Sequence, residues 1–171
     1  DYLTVENSLY DLHHVNEALH ALYKGKWMAT GISKGGQTTM FYRSYFPNDV
    51  DISVPYVAPL NRSVEDGRHE KFLQYEVSTP ENRRKVLDFQ LLLFKRKAAL
   101  LPMLEKYCND KHYTFNAPLA EIYDFSVFEY AFAFWQWGAD LQKIPTREAD
   151  DLAVFKYWMS HCEPDYFSNQ N

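Results

Sequence analysis

The chain has 171 residues, 46% of them hydrophobic, and carries a net charge of −5 with no basic block. That balance supports a folded domain with its own core and excludes the electrostatic footprint of a nucleic-acid binder or of a protein held on an anionic membrane. No run approaches the roughly 18 consecutive apolar residues of a membrane span. The sequence does not open on the charged, apolar and small-residue regions of a signal peptide, so the chain is expected to be soluble as written.

Thr4 stands as an N-cap candidate before Val5, Leu9, Leu12, Val15, Leu19 and Leu22, whose steps of three and four predict an amphipathic helix broken by Gly25. Residues 26–30 are short, mostly apolar and without polar alternation, the pattern of a central parallel strand buried on both faces. Gly31-Ile32-Ser33-Lys34-Gly35-Gly36 follows at once, and residues 34–46 suit a helix that Pro47 closes. Residues 50–54, with Tyr56 and Val57, predict a second strand that Pro55 and Pro59 interrupt or end.

After Leu60 no further apolar β-branched run appears, and the remaining periodic stretches are helical. Two parts are expected, residues 1–60 and residues 61–171. Ser78-Thr79-Pro80-Glu81 has a capping-box pattern, and Val86, Phe89, Leu93 and Leu100 continue one apolar stripe until Pro102 kinks or ends the helix. Residues 119–137 are aromatic and nearly uncharged, which predicts a deeply buried helix stopped by Gly138. Pro145-Thr146 opens a last helix through Leu152, Phe155 and Trp158, and the polar residues 168–171 are expected to fray.

The chemistry is concentrated at Gly31-Ile32-Ser33-Lys34-Gly35. A hydroxyl nucleophile needs exposure, a base and donors for an oxyanion, and a Gly-x-Ser-x-Gly turn between strand and helix supplies the first and third. Ser33 is the candidate nucleophile at the tip. Gly31 and Gly35 are expected where a Cβ would collide with neighbouring backbone, and Gly36 where the helix packs closely. The backbone N–H of Lys34, at the helix N-terminus, is the candidate oxyanion donor. A phosphate loop, the competing strand-to-helix motif, would place four residues between its first Gly and a Gly-Lys-Ser/Thr, whereas here Lys34 precedes the glycine pair.

The fold class these features predict is α/β, a partial α/β-hydrolase core of parallel strands with a nucleophile elbow, followed by a mainly helical cap. In such enzymes the triad runs Ser, then Asp or Glu, then His, on loops after later strands. No later strands are evident. Asp140 and His161 sit in helical surroundings and read as surface or cap residues, so the triad Asp and His are expected from outside these residues. His13, His14 and His20 share one helix with Glu17, a poor metal set, and no metal or cofactor is predicted. Cys108 and Cys162 read as plain buried thiols.

The run from Trp27 through Thr38, with Tyr2-Leu3-Thr4 and Asp11-Leu12-His13 upstream, resembles the secreted prolyl tri- and tetrapeptidyl aminopeptidases, above all in Ser33-Lys34-Gly35-Gly36. Glu129-Tyr130-Ala131-Phe132-Ala133-Phe134-Trp135-Gln136-Trp137-Gly138 is similar to their cap-region helix. The resemblance implies a helical cap inserted after the strand that follows the elbow, an extracellular or periplasmic location, and release of short peptides from free N-termini with proline before the scissile bond. It also implies acidic cap residues that bind the substrate amine.

For that amine Glu65, Asp66 and Glu129 are the candidates, with Trp135 among the aromatics that could face a proline ring. Glu65 and Asp66 read equally as caps of the next helix. An esterase or lipase on the same scaffold, and a non-catalytic helical binding module, are the competing functions. The three carboxylates favour recognition of a charged amine over a lipid. The expected partner is a peptide substrate.

Overall fold

The structure is a computed structural model that describes residues 3–64 and 66–170. The chain divides into two compact units, Asp1–Asp66 and Gly67–Asn171. No helix among the described residues is long and apolar enough to cross a membrane.

In the first unit, helix α1 (Val5–His20) leads to strand β1 (Met28–Ile32), helix α2 (Lys34–Tyr45) and strand β2 (Ile52–Tyr56). The Thr4 hydroxyl caps α1 by accepting from the Asn7 N–H at 3.1 Å. β1 and β2 pair in parallel, Met28 opposite Ile52 and Ile32 opposite Tyr56, and α2 makes the crossover between them. Pro55 lies inside β2, opposite Gly31. It is tolerated because, among the described residues, β2 pairs only with β1 and one edge needs no ladder donor.

The small core of this unit is Leu9, Tyr42 and Val50, packed with Trp27, Ala29, Phe41 and Phe46. Two expectations change here. β1 begins and ends two residues later than its apolar run suggests, because Gly31 and Ile32 still pair with Pro55 and Tyr56. Its burial also alternates instead of being complete: Met28 and Ile32 are exposed beside Ile52 and Tyr56 on one face, while Ala29 faces the core. On α1 the buried face runs through Leu9 and Asn16, and Val5, Val15 and Leu22 of the apolar stripe are exposed.

The second unit is helical. A short helix α3 (Arg68–Lys71) widens into a π-turn, Phe72–Glu76, and is followed by α4 (Pro80–Lys95), α5 (Lys97–Lys111), α6 (Leu119–Trp137), α7 (Asp151–Met159) and a 3₁₀ turn, Pro164–Phe167. Phe89, Leu93, Tyr123, Tyr130, Phe134 and Trp158 form its core and are nearly or fully buried. Cys108 and Cys162 are free thiols within it. Burial pushes the Cys108 thiol up to about 11 and the Cys162 thiol to about 12, so neither is a reactive thiolate.

The helix start at residue 78 moves by one. Pro80 disfavours the helical region for the residue before it, so Thr79 is the extended cap and accepts from Asn82 N–H at 3.3 Å. The long helix predicted to reach Pro102 breaks earlier, at Arg96, and Pro102 lies inside α5. The break frees the Arg96 guanidinium to reach the carbonyls of Ala149 at 2.7 Å and Arg147 at 2.6 Å, and Asp151 at 2.9 Å. Those bonds hold residues 145–149 as turns, so α7 starts at the Asp150 cap, which accepts from Ala153 N–H at 2.7 Å. Gly138 ends α6 in the left-handed region at φ 71°. α6 is buried on one side only, since Phe125, Phe128, Phe132 and Trp137 are exposed.

Candidate active site

β1 ends at Ile32 and α2 begins at Lys34, so Ser33 alone makes the connection. Its φ of 55° and ψ of −120° are a combination that L-residues rarely adopt, with a cost of about 1–3 kcal/mol. Bonds on both sides hold the strained residue: its N–H donates to the Tyr56 carbonyl, and its carbonyl accepts from the Gln37 N–H, each at 3.0 Å. Ser33 is exposed, and its hydroxyl caps nothing.

The local sequence explains how the turn closes. A Cβ on Gly31 would overlap the Gly35 carbonyl and stand 2.9 Å from the Gly35 Cα. A Cβ on Gly36 would stand 2.6 Å from the Tyr56 carbonyl oxygen, which is how α2 comes down onto the end of β2. Gly35 departs from expectation, because a Cβ there meets nothing within 4 Å. The crowding at the elbow is made by its carbonyl against Gly31, while its own side-chain direction is open. The hydroxyls of Thr38 and Thr39 bond back to the Lys34 and Gly35 carbonyls at 3.0 and 2.9 Å, which tightens the first turn.

Lys34 is the first helical residue, so its N–H has no intrahelical acceptor, and no described residue supplies one. Together with the helix dipole it offers a donor for negative charge forming beside Ser33. No histidine bonds the Ser33 hydroxyl among the described residues. One histidine of this unit has a structural role: His13 Nδ1 lies 2.7 Å from Asp49 Oδ2, and the Tyr42 hydroxyl donates to the same oxygen at 2.6 Å. The Asp49 contact raises the His13 imidazole above its ordinary value, and the ring stacks on Phe46 at 4.2 Å. This fastens α1 to the loop that leaves the elbow helix.

In the second unit a cleft of about 940 Å³ opens among α3, the π-turn, α4 and α6. Leu87, Phe125, Phe128, Phe132 and Trp135 line it, and Glu70 and Glu129 are its acidic groups. Burial pushes the Glu129 carboxyl up, and no described residue gives it a hydrogen bond or an ion pair. The rim arginines are committed elsewhere, Arg83 to the Val77 and Ser78 carbonyls and Arg84 to Asp88, each at 2.8 Å. An unpaired, partly desolvated carboxylate among aromatic rings is suited to a cation.

Residues 2–162 match the family described as PS-10 peptidase S37. The chain belongs to that family. It is also 30% identical over 152 residues to the prolyl tri/tetrapeptidyl aminopeptidase of Streptomyces mobaraensis, an alignment that covers 86% of this chain and 32% of that relative. The chain therefore spans about a third of the length of the curated relative it matches. No solved structure matches. The resemblance read from the elbow run and the aromatic helix is thus to the right family.

Within this S37 peptidase chain, Gly31, Ser33, Lys34, Gly35 and Gly36 lie at one strand-to-helix turn, and Glu129 and Trp135 share one cleft. Asp66 braces its own loop by accepting from the Arg62 N–H at 3.1 Å, and the cap position of α3 is Gly67, without a side-chain bond. Glu65 lies outside the described residues. Asp140 accepts from Gln142 N–H at 2.9 Å, and His161 bonds the Tyr157 carbonyl and packs at a tilt against the Tyr157 ring. No group of three or more His, Cys, Asp or Glu side chains suited to a metal forms among the described residues. Gln90 also lines the cleft, and periodicity does not single it out. Its trace in the sequence is a lone amide within Phe89-Gln90-Leu91-Leu92-Leu93.

Proposed function

We propose that the protein is a serine aminopeptidase that works through an acyl-enzyme, with Ser33 as nucleophile and the Lys34 N–H as one oxyanion donor. The observation that carries the reading is the exposed, strained Ser33 at a one-residue junction between β1 and α2, closed by Gly31 and Gly36. Residues 1–60 are then part of an α/β-hydrolase core, and residues 61–171 a helical cap. A histidine and an acid from outside these residues complete the triad: the histidine takes the Ser33 proton as Oγ attacks the carbonyl carbon, and returns it to the leaving amine.

The substrate class follows from the relative's name and from the cleft. The relative is a prolyl tri/tetrapeptidyl aminopeptidase, and Glu129 offers a carboxylate for a peptide's terminal ammonium. Trp135 and its aromatic neighbours give the proline before the scissile bond an apolar wall. Glu65 and Asp66, just after β2, are the further acidic groups proposed for the same ammonium. An esterase or lipase on this scaffold would have no use for the unpaired carboxylate. Action on extracellular peptides, outside the cytoplasm, accords with this substrate class.

The test is turnover of a chromogenic tripeptide ending in proline by the full-length protein. Ser33→Ala is expected to lower kcat by about 10⁴-fold or more. Activity that survives the substitution removes Ser33 from the mechanism.

A further inference from the structure

Gln90 on α4 donates its Nε2 to the Val127 carbonyl at 2.8 Å and leans toward that of Phe128 at 3.4 Å. Both acceptors are carbonyls, so the amide orientation is fixed, and Oε1 is the atom left over. No described residue donates to it. Val127 and Phe128 immediately precede Glu129, and Gln90 and Glu129 line the same cleft. Two residues with an acceptor that no described residue satisfies, one charged and one neutral, therefore line one cleft from α6 and α4, while its arginines are committed to other partners.

We propose that Gln90 and Glu129 together form a subsite for a primary ammonium, with Gln90 Oε1 as the second acceptor that discriminates against alkylated amines. The inference rests on the reading of this cleft as the place that receives the substrate's amino terminus. A primary ammonium brings three donors and no acceptor, which matches the two acceptors supplied by Glu129 and Gln90. A trimethylated ammonium keeps the charge and the attraction to the aromatic rings, but it has no N–H for Oε1. The carboxylate thus selects for charge, and the amide selects for unsubstituted nitrogen.

Binding is measured by calorimetry at pH 8 on the full-length protein carrying Ser33→Ala, so that turnover plays no part. The probes are 2-phenylethylammonium and its N,N,N-trimethyl analogue. The primary amine is expected to bind about tenfold more tightly, as one hydrogen bond to a charged donor allows. Gln90→Leu is expected to erase that preference. Gln90→Lys keeps donors for the Val127 and Phe128 carbonyls without offering an acceptor, and is expected to weaken the primary amine at least tenfold at an unchanged melting temperature.

Equal affinity of the parent for the two probes, binding of neither, or a preference that survives both Gln90 variants overturns the subsite. The peptidase reading fails separately. If Ser33 resists active-site labelling while the probe preference holds, the ammonium subsite stands without it; if Ser33 labels and the preference is absent, only the subsite falls.

Discussion

The Cα of Gly31 faces the carbonyl of Gly35 so closely that a methyl group on Gly31 would overlap it. The strand and the helix flanking Ser33 can meet at one residue only because that methyl is missing. Gly31→Ala is therefore expected to destabilise the protein by about 1–3 kcal/mol, as forced overpacking does. By displacing Ser33 it is expected to lower kcat/KM about 10²-fold. Gly35→Ala, whose Cβ direction is open, is expected to cost clearly less in both measurements. Denaturant midpoints and kinetics of the two variants decide the comparison.

The His13 and Asp49 pair makes the fastening of α1 depend on pH. Its partners raise the imidazole above the ordinary value of about 6.5, chiefly through the bond to Asp49 and, more weakly, through the charges of Asp49 and Glu17. A group whose folded value is raised contributes its stability in full below the unfolded value and loses it as pH rises through the folded one. The difference in urea midpoint between the parent and His13→Gln is therefore expected to be larger at pH 6 than at pH 9. An equal difference at the two values contradicts the charged pair.

Much of this architecture is legible in the sequence, and what is not has a physical cause. The close approach of Gly31 to Gly35, the Thr4 cap and the Gly138 stop depend on residues within four positions of one another, so local chemistry reveals them, whereas the hold of Tyr56 on Ser33 and Gly36 comes from the next strand. The break at Arg96 depends on carbonyls more than fifty residues away, and no local pattern announces it. The exposed faces of β1 and α6 mislead for a different reason. An apolar composition says that a surface prefers burial, but not which element buries it. Gln90 was hidden because its meaning lies in its contacts with Val127 and Phe128 on another helix.

Arg96 holds residues 145–149 through two carbonyls and anchors the start of α7 through Asp151. Arg96→Met keeps the aliphatic stem and removes those donors. It is expected to cost about 2–3 kcal/mol, since bonds from a charged donor to partly buried acceptors are lost. Amide exchange in residues 145–152 is expected to speed up more than exchange in the core of α6. Uniform acceleration throughout the second unit would mean that Arg96 does not hold this segment locally.

Glu129 is expected to trade stability for binding. Burial raises its carboxyl, so the folded chain holds its proton more tightly than the unfolded chain, and stability falls as pH rises through that window. Glu129→Gln is expected to raise the melting temperature at pH 8 and to raise KM for peptides with a free N-terminus. In the parent, KM for those peptides is expected to climb as pH falls through the Glu129 value, which lies above the ordinary carboxylate range. A Glu129→Gln protein with unchanged KM removes the carboxylate from amine recognition.

Covalent labelling tests most directly whether Ser33 is an activated nucleophile. The full-length protein is treated with a fluorophosphonate, and the modified residue is located by peptide mapping. A single adduct on the Ser33 hydroxyl, abolished by Ser33→Ala, is expected. An adduct on a different serine, or none on folded protein, contradicts it.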